Sequence, residues 1–124
     1  WANGGRSNWG GNVSFGVSFA RILGTTAYFG LRRSDNDRTG VFAGADFEVL
    51  PIRFGFEKAN VRYDIFEAGF LVGASTNAHN RHNWATAHLG ARANLNLSET
   101  FGLTAITRVN LGYLMFETGI IARF

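Results

Sequence analysis

The chain of 124 residues has no cysteine, one proline (Pro51), one methionine and one lysine (Lys58). Without thiols it holds neither a disulfide framework nor a zinc-thiolate centre, although that absence alone fixes no compartment. Charge is also scarce: Asp, Glu, Lys and Arg make up 17% of the chain, where a water-facing surface is usually about 25–35% charged. Twelve bases against nine acids leave a formal charge of +3. No apolar run approaches the ~20 residues of a membrane-spanning helix, so a membrane location would have to be reached with strands. The chain opens at Trp1 with no Met and no charged-then-apolar leader, which fits a form left after signal removal or a trimmed one.

What the sequence does have is glycine, 16 residues of it, 15% aromatics and a two-residue rhythm. In the stretch NVSFGVSFA, Val13, Phe15, Val17 and Phe19 alternate with Asn12, Ser14, Gly16, Ser18 and Ala20. Side chains of a strand point alternately to opposite faces, so this is a strand with one bulky and one small polar face. The rhythm recurs over about 9–21, 26–33, 39–49, 52–58, 66–74, 84–97, 101–110 and 114–124, which predicts eight strands. Pro51 predicts a turn between the third and fourth, since proline cannot donate to a ladder. Between Ile65 and Phe66 the apolar phase slips by one residue, which predicts a turn or a β-bulge. The organisation is a segment 1–8 followed by one all-β domain, 9–124.

Which face points inward is decided by residue size. Gly16, Gly30, Gly44, Gly55, Gly69, Gly73, Gly90, Gly102 and Gly119 all share the polar phase. A solvent-facing strand has no reason to prefer glycine, which weakens strands by roughly 0.5–1 kcal/mol relative to alanine. The interior of a small closed barrel has room only for side chains that interlock, small between large. The polar face is therefore expected inside, and Val13, Phe15, Val17, Phe19, Phe54, Phe70, Leu89, Leu95 and Phe116 are expected to face lipid.

Eight such strands and the ending Phe116-Glu117-Thr118-Gly119-Ile120-Ile121-Ala122-Arg123-Phe124 resemble the eight-stranded outer-membrane barrels of Gram-negative bacteria, the family of the outer membrane protein A membrane domain and outer membrane protein X. The resemblance covers the chain from about Trp9 to Phe124. It implies a closed antiparallel up-and-down transmembrane β-barrel in the bacterial outer membrane. It further implies Phe124 as an assembly signal, and membrane lipid and the barrel assembly machinery as partners.

The inward phase carries Arg53, Arg92, Arg108 and Arg123 against Asp46, Glu48, Glu57, Glu67 and Glu117. Buried charges persist only when paired, so these residues predict an ion-pair network that fills the lumen, with Tyr28, Phe42, Leu71, Ile106, Met115 and Ile121 plugging the remainder. The remaining bases (Arg6, Arg21, Arg32, Arg33, Arg38, Lys58, Arg62, Arg81) outnumber the acids Asp35, Asp37, Asp64 and Glu99. A basic rim of that kind fits anionic headgroups, lipopolysaccharide phosphates among them, or plain positional anchoring.

His79 and His82, with Ser75 nearby, and the inward His88 raise two other chemistries. One is a lipid A-modifying enzyme built on a Ser/His pair, which lacks a local acidic partner. The other is a metal clip, for which two ligands are too few. A narrow pore and a soluble ligand-binding barrel are the remaining rivals. The expectation is a non-catalytic monomer that needs no metal or cofactor and binds no nucleic acid, the arginines being scattered without an aromatic platform.

Overall fold

The computed structural model describes residues 8–34, 39–77, 85–110 and 114–123. They form one antiparallel sheet in which seven strands pair in chain order: β1 (Asn8–Ser18), β2 (Leu23–Ser34), β3 (Thr39–Lys58), β4 (Val61–Asn77), β5 (Thr86–Asn96), β6 (Phe101–Val109) and β7 (Leu114–Ala122). The described residues contain no helix. Phe124, His79, His82, Arg6, Asp35, Asp37, Arg38 and Arg81 lie outside them.

The pairing is strongly staggered. Following hydrogen-bonded partners, Val17 near the end of β1 leads through Thr25, Phe47, Val72, Leu89 and Val109 to Leu114, the first residue of β7. A row of partners thus crosses almost a full strand length, the shear that accompanies tilted strands in a curling sheet. The sheet curls into a half-barrel and does not close: β1 and β7 are its two edges, and with seven up-and-down strands they run in the same direction.

The expected break at Pro51 is corrected by the structure. One strand, β3, runs from Thr39 to Lys58, and Leu50 and Pro51 together oppose Gly69 in a bulge between the pairs Val49↔Phe70 and Ile52↔Ala68. Proline needs no ladder partner at a bulge, so it interrupts the register without ending the strand. A second irregularity leaves Ile65 unpaired between Phe54↔Phe66 and Gly55↔Asp64, at the position of the phase slip. The reversal itself is two residues long, Ala59 and Asn60, both at positive φ (52° and 62°). Two successive left-handed residues are the signature of the tight hairpin turn whose twist matches its strands.

Alternation then sorts the side chains. Thr26, Tyr28, Asp46, Glu48, Leu71, Ser75, His88, Asn94, Ile106 and Arg108 are buried on the concave face, while Phe15, Phe29, Phe54, Phe70, Leu89, Phe116 and Ile120 are exposed on the convex one. Strand β1 is exposed along both faces because nothing pairs with its outer edge. Close packing inside requires glycine at specific points. A Cβ on Gly73 would lie 2.8 Å from His88 Nε2 and press on the Asp46 carboxylate, and one on Gly44 would meet the Tyr28 ring.

Candidate functional site: the charged interior

Alternate residues of six strands converge at mid-height. Asp46 (β3) is the hub: its Oδ2 accepts hydrogen bonds from Arg108 Nε at 3.0 Å and Nη2 at 2.6 Å, and its Oδ1 lies 2.6 Å from His88 Nε2. Arg108 (β6) also donates through Nη1 to Glu117 Oε2 (β7) at 2.6 Å. Glu117 Oε1 in turn accepts from Asn12 Nδ2 (β1) at 2.9 Å, a bridge between the two edges of the sheet. The Arg108 guanidinium sits 4.2 Å from the centroid of the Tyr28 ring (β2), a cation–π contact in a dry setting. The side chains of Arg108, Asp46 and His88 are 2%, 0% and 1% exposed. Withdrawing such ions from water costs several kcal/mol each even after relaxation, so they persist only because each carboxylate oxygen is matched by a donor.

A second cluster lies toward the short-turn end. Glu48 accepts from Thr26 Oγ1 at 2.8 Å and pairs with Arg92 Nη1. Arg92 Nε donates to Asn94 Oδ1 at 3.0 Å, which also accepts from Thr104 Oγ1 at 2.9 Å. Beyond it Arg53 Nη1 lies 2.7 Å from Asp64 and 3.1 Å from Glu67, and Arg123 reaches Glu67 at 3.4 Å. Arg62 closes on Asp64 from the hairpin at 2.8 Å. Between the middle and the end, four guanidiniums (Arg53, Arg92, Arg108, Arg123) face five carboxylates (Asp46, Glu48, Asp64, Glu67, Glu117), with His88 on the most buried of them.

The structure thus brings together eight of the nine residues singled out from the sequence as an interior ion-pair set. Glu57 is the correction: it is exposed near the hairpin tip, opposite Arg62 in register, where no neighbouring strand covers it. Asp64, assigned to the rim from the sequence, joins the interior set, because the Ile65 bulge returns residues 61–64 to the opposite phase and places Asp64 across from Gly55. His88 was legible as inward, but its partner is Asp46 rather than its near neighbour Arg92. Only the cross-strand register could have revealed that. Among the described residues no group of three or more His, Cys, Asp and Glu is arranged to hold a metal ion.

The interior continues into a cleft of about 1370 Å3 between β1 and β7, lined by Asn12, Ser14, Thr26, Arg92, Thr104 and Glu117 among others. Comparison with known proteins gives no matching family model, no similar curated protein and no similar solved structure.

Proposed function

We propose that this chain is a small non-catalytic β-barrel of the bacterial outer membrane, with a side-chain-filled interior, acting as a structural or surface-interaction protein in contact with membrane lipid. One observation carries the reading: arginine, aspartate and histidine are withdrawn on the concave face while phenylalanines stand exposed on the convex face. Soluble monomers rarely expose a contiguous apolar surface beyond a few hundred Å2. Against acyl chains the same surface carries no penalty. Its height agrees: from Trp9 to Phe19 the chain rises ~33 Å, or ~24 Å at a tilt near 45°, against an apolar band of ~25 Å.

Parity and width support a closed barrel as part of this reading. Because β1 and β7 run the same way, an antiparallel barrel needs an odd number of further strands between them. The Asn12–Glu117 hydrogen bond of 2.9 Å limits the Cα separation of those residues to at most ~11 Å. Two strands flanking a single missing one lie ~9.6 Å apart. A slot of that width matches a single strand, which supports the eight-stranded reading.

Expression behind a signal peptide, fractionation and gel migration with and without boiling test the reading. An outer-membrane pellet and a heat-dependent shift in mobility are expected, and recovery as a detergent-free soluble monomer would contradict it. A filled interior also predicts no discrete conductance in planar bilayers.

A further inference from the structure

The β3–β4 hairpin outruns its neighbours. Strand β2 begins at Leu23, opposite Val49, and β5 ends with Leu95 opposite Phe66. Residues 55–64 are consequently ladder-paired only with each other and project past the sheet at the end where the other connections, 19–22 and 97–100, are short. The projection from Phe54 to Lys58 is ~13 Å along the strand. Bulges at Leu50-Pro51 and at Ile65 bracket its base, and bulges increase twist and re-aim the chain beyond them.

The hairpin's convex phase is apolar and aromatic to the tip. Ile52, Phe54, Phe56 and Val61 are exposed, Phe56 stacks on Tyr63 with centroids 5.3 Å apart, and Phe54 packs 6.2 Å from Phe66. Lys58 follows the rings and closes the convex row, exposed, with Arg21 exposed on the adjoining turn, while Glu57 and Arg62 pair across the opposite phase and Arg62 is held by Asp64 at 2.8 Å. If Phe19 and Phe101 mark one edge of the hydrocarbon, the rings of Phe56 and Tyr63 lie a few residues higher, in the ~5–8 Å headgroup layer. Rings with a polar tip followed by long basic side chains are the chemistry of that layer, where aromatics sit at headgroup level and Lys and Arg extend outward.

We infer that the projecting Phe54–Tyr63 hairpin is a membrane-surface anchor, its ring face seated among anionic phospholipid headgroups and Lys58 paired with their phosphates. The inference rests on the membrane-barrel reading and names where that barrel grips the bilayer surface. Lys58, the one base on the ring face, adds about fivefold to partitioning toward an anionic surface, so that face favours anionic over zwitterionic lipid.

Because the chain has no cysteine, single thiols report unambiguously. Val61→Cys and Phe70→Cys, each carrying an environment-sensitive fluorophore, are folded into vesicles of mixed phosphatidylglycerol and phosphatidylcholine, with nitroxide quenchers either on the headgroup or deep in the acyl chain. The expected result is preferential quenching of the residue 61 label by the headgroup nitroxide and of the residue 70 label by the acyl nitroxide. Adding Lys58→Gln to the Val61→Cys chain should reduce headgroup quenching to the level seen in pure phosphatidylcholine. A water-like, unquenched label at 61 beside a normally quenched label at 70 would overturn the anchor and leave the barrel standing. Unchanged quenching in the Lys58→Gln chain would overturn the phosphate pairing. An unquenched label at 70 would overturn the membrane reading and the anchor with it.

Discussion

The middle and the end of the interior are made of the same residue types and behave as different materials. Around Asp46 the hub itself is enclosed, with Asp46, His88 and Arg108 at most 2% exposed, and Arg108 is met by two carboxylates and an aromatic ring. Around Glu67 the same chemistry is half open: Arg123 is 35% exposed and its contact is 3.4 Å, and Arg62 is 47% exposed. The difference lies in how many strands cover each cluster. Asp46 lies on a strand flanked on both sides by fully paired neighbours, whereas Asp64 and Arg53 stand where β2 and β5 are giving out. Enclosure makes an ion pair costly to break; exposure makes it nearly dispensable.

Substitutions at matched positions sharpen that contrast. Arg108→Ala strands Asp46 and Glu117 as buried charges, and chemical denaturation in detergent should show a loss of about 3–5 kcal/mol. Removing the buried carboxylate as well, Arg108→Met with Asp46→Leu, should recover the Asp46 share of that loss, since an apolar pair needs no counter-ion there, while Glu117 keeps its bond from Asn12. A double variant as unstable as Arg108→Ala would mean that the fold needs the charges themselves. Gly73→Val forces a side chain between Asp46 and His88 and should cost about 1–3 kcal/mol in the same assay. Arg123→Gln should change stability by less than about 1 kcal/mol, and added salt should reduce even that. Equal losses at Arg108 and Arg123 would erase the distinction between the two clusters.

Much of this was legible in the sequence because alternation is a local signal. The phase of Phe15, Phe70, Leu89 and Phe116 needed only their neighbours, and so did the choice of Arg92 and Arg108 as inward. The phase slip at Ile65 was visible as a slip, but its consequence for Asp64 was not, because only the paired strand shows on which side of the bulge the register resumes. Pro51 misled for a related reason: proline excludes ladder donation but not a strand that bulges around it, so two expected strands are one. The partners themselves, His88 with Asp46 and Asn12 with Glu117, come from the stagger of the sheet and leave no trace in spacing. Glu57 had the right parity at the wrong height; alternation says which face a residue takes and nothing about whether neighbours cover it.

The central claim is that the convex aromatic face meets hydrocarbon and the concave polar face does not. Spin labels at single cysteines in bilayers, read for collision with oxygen and with a water-soluble nickel complex, test it along paired strands: Leu89, Ala91 and Leu95 on one phase, Thr86 and Thr104 on the other. High oxygen and low nickel accessibility confined to 89, 91 and 95 is the predicted result; the reverse phase, or nickel access at all three convex positions, would contradict the account.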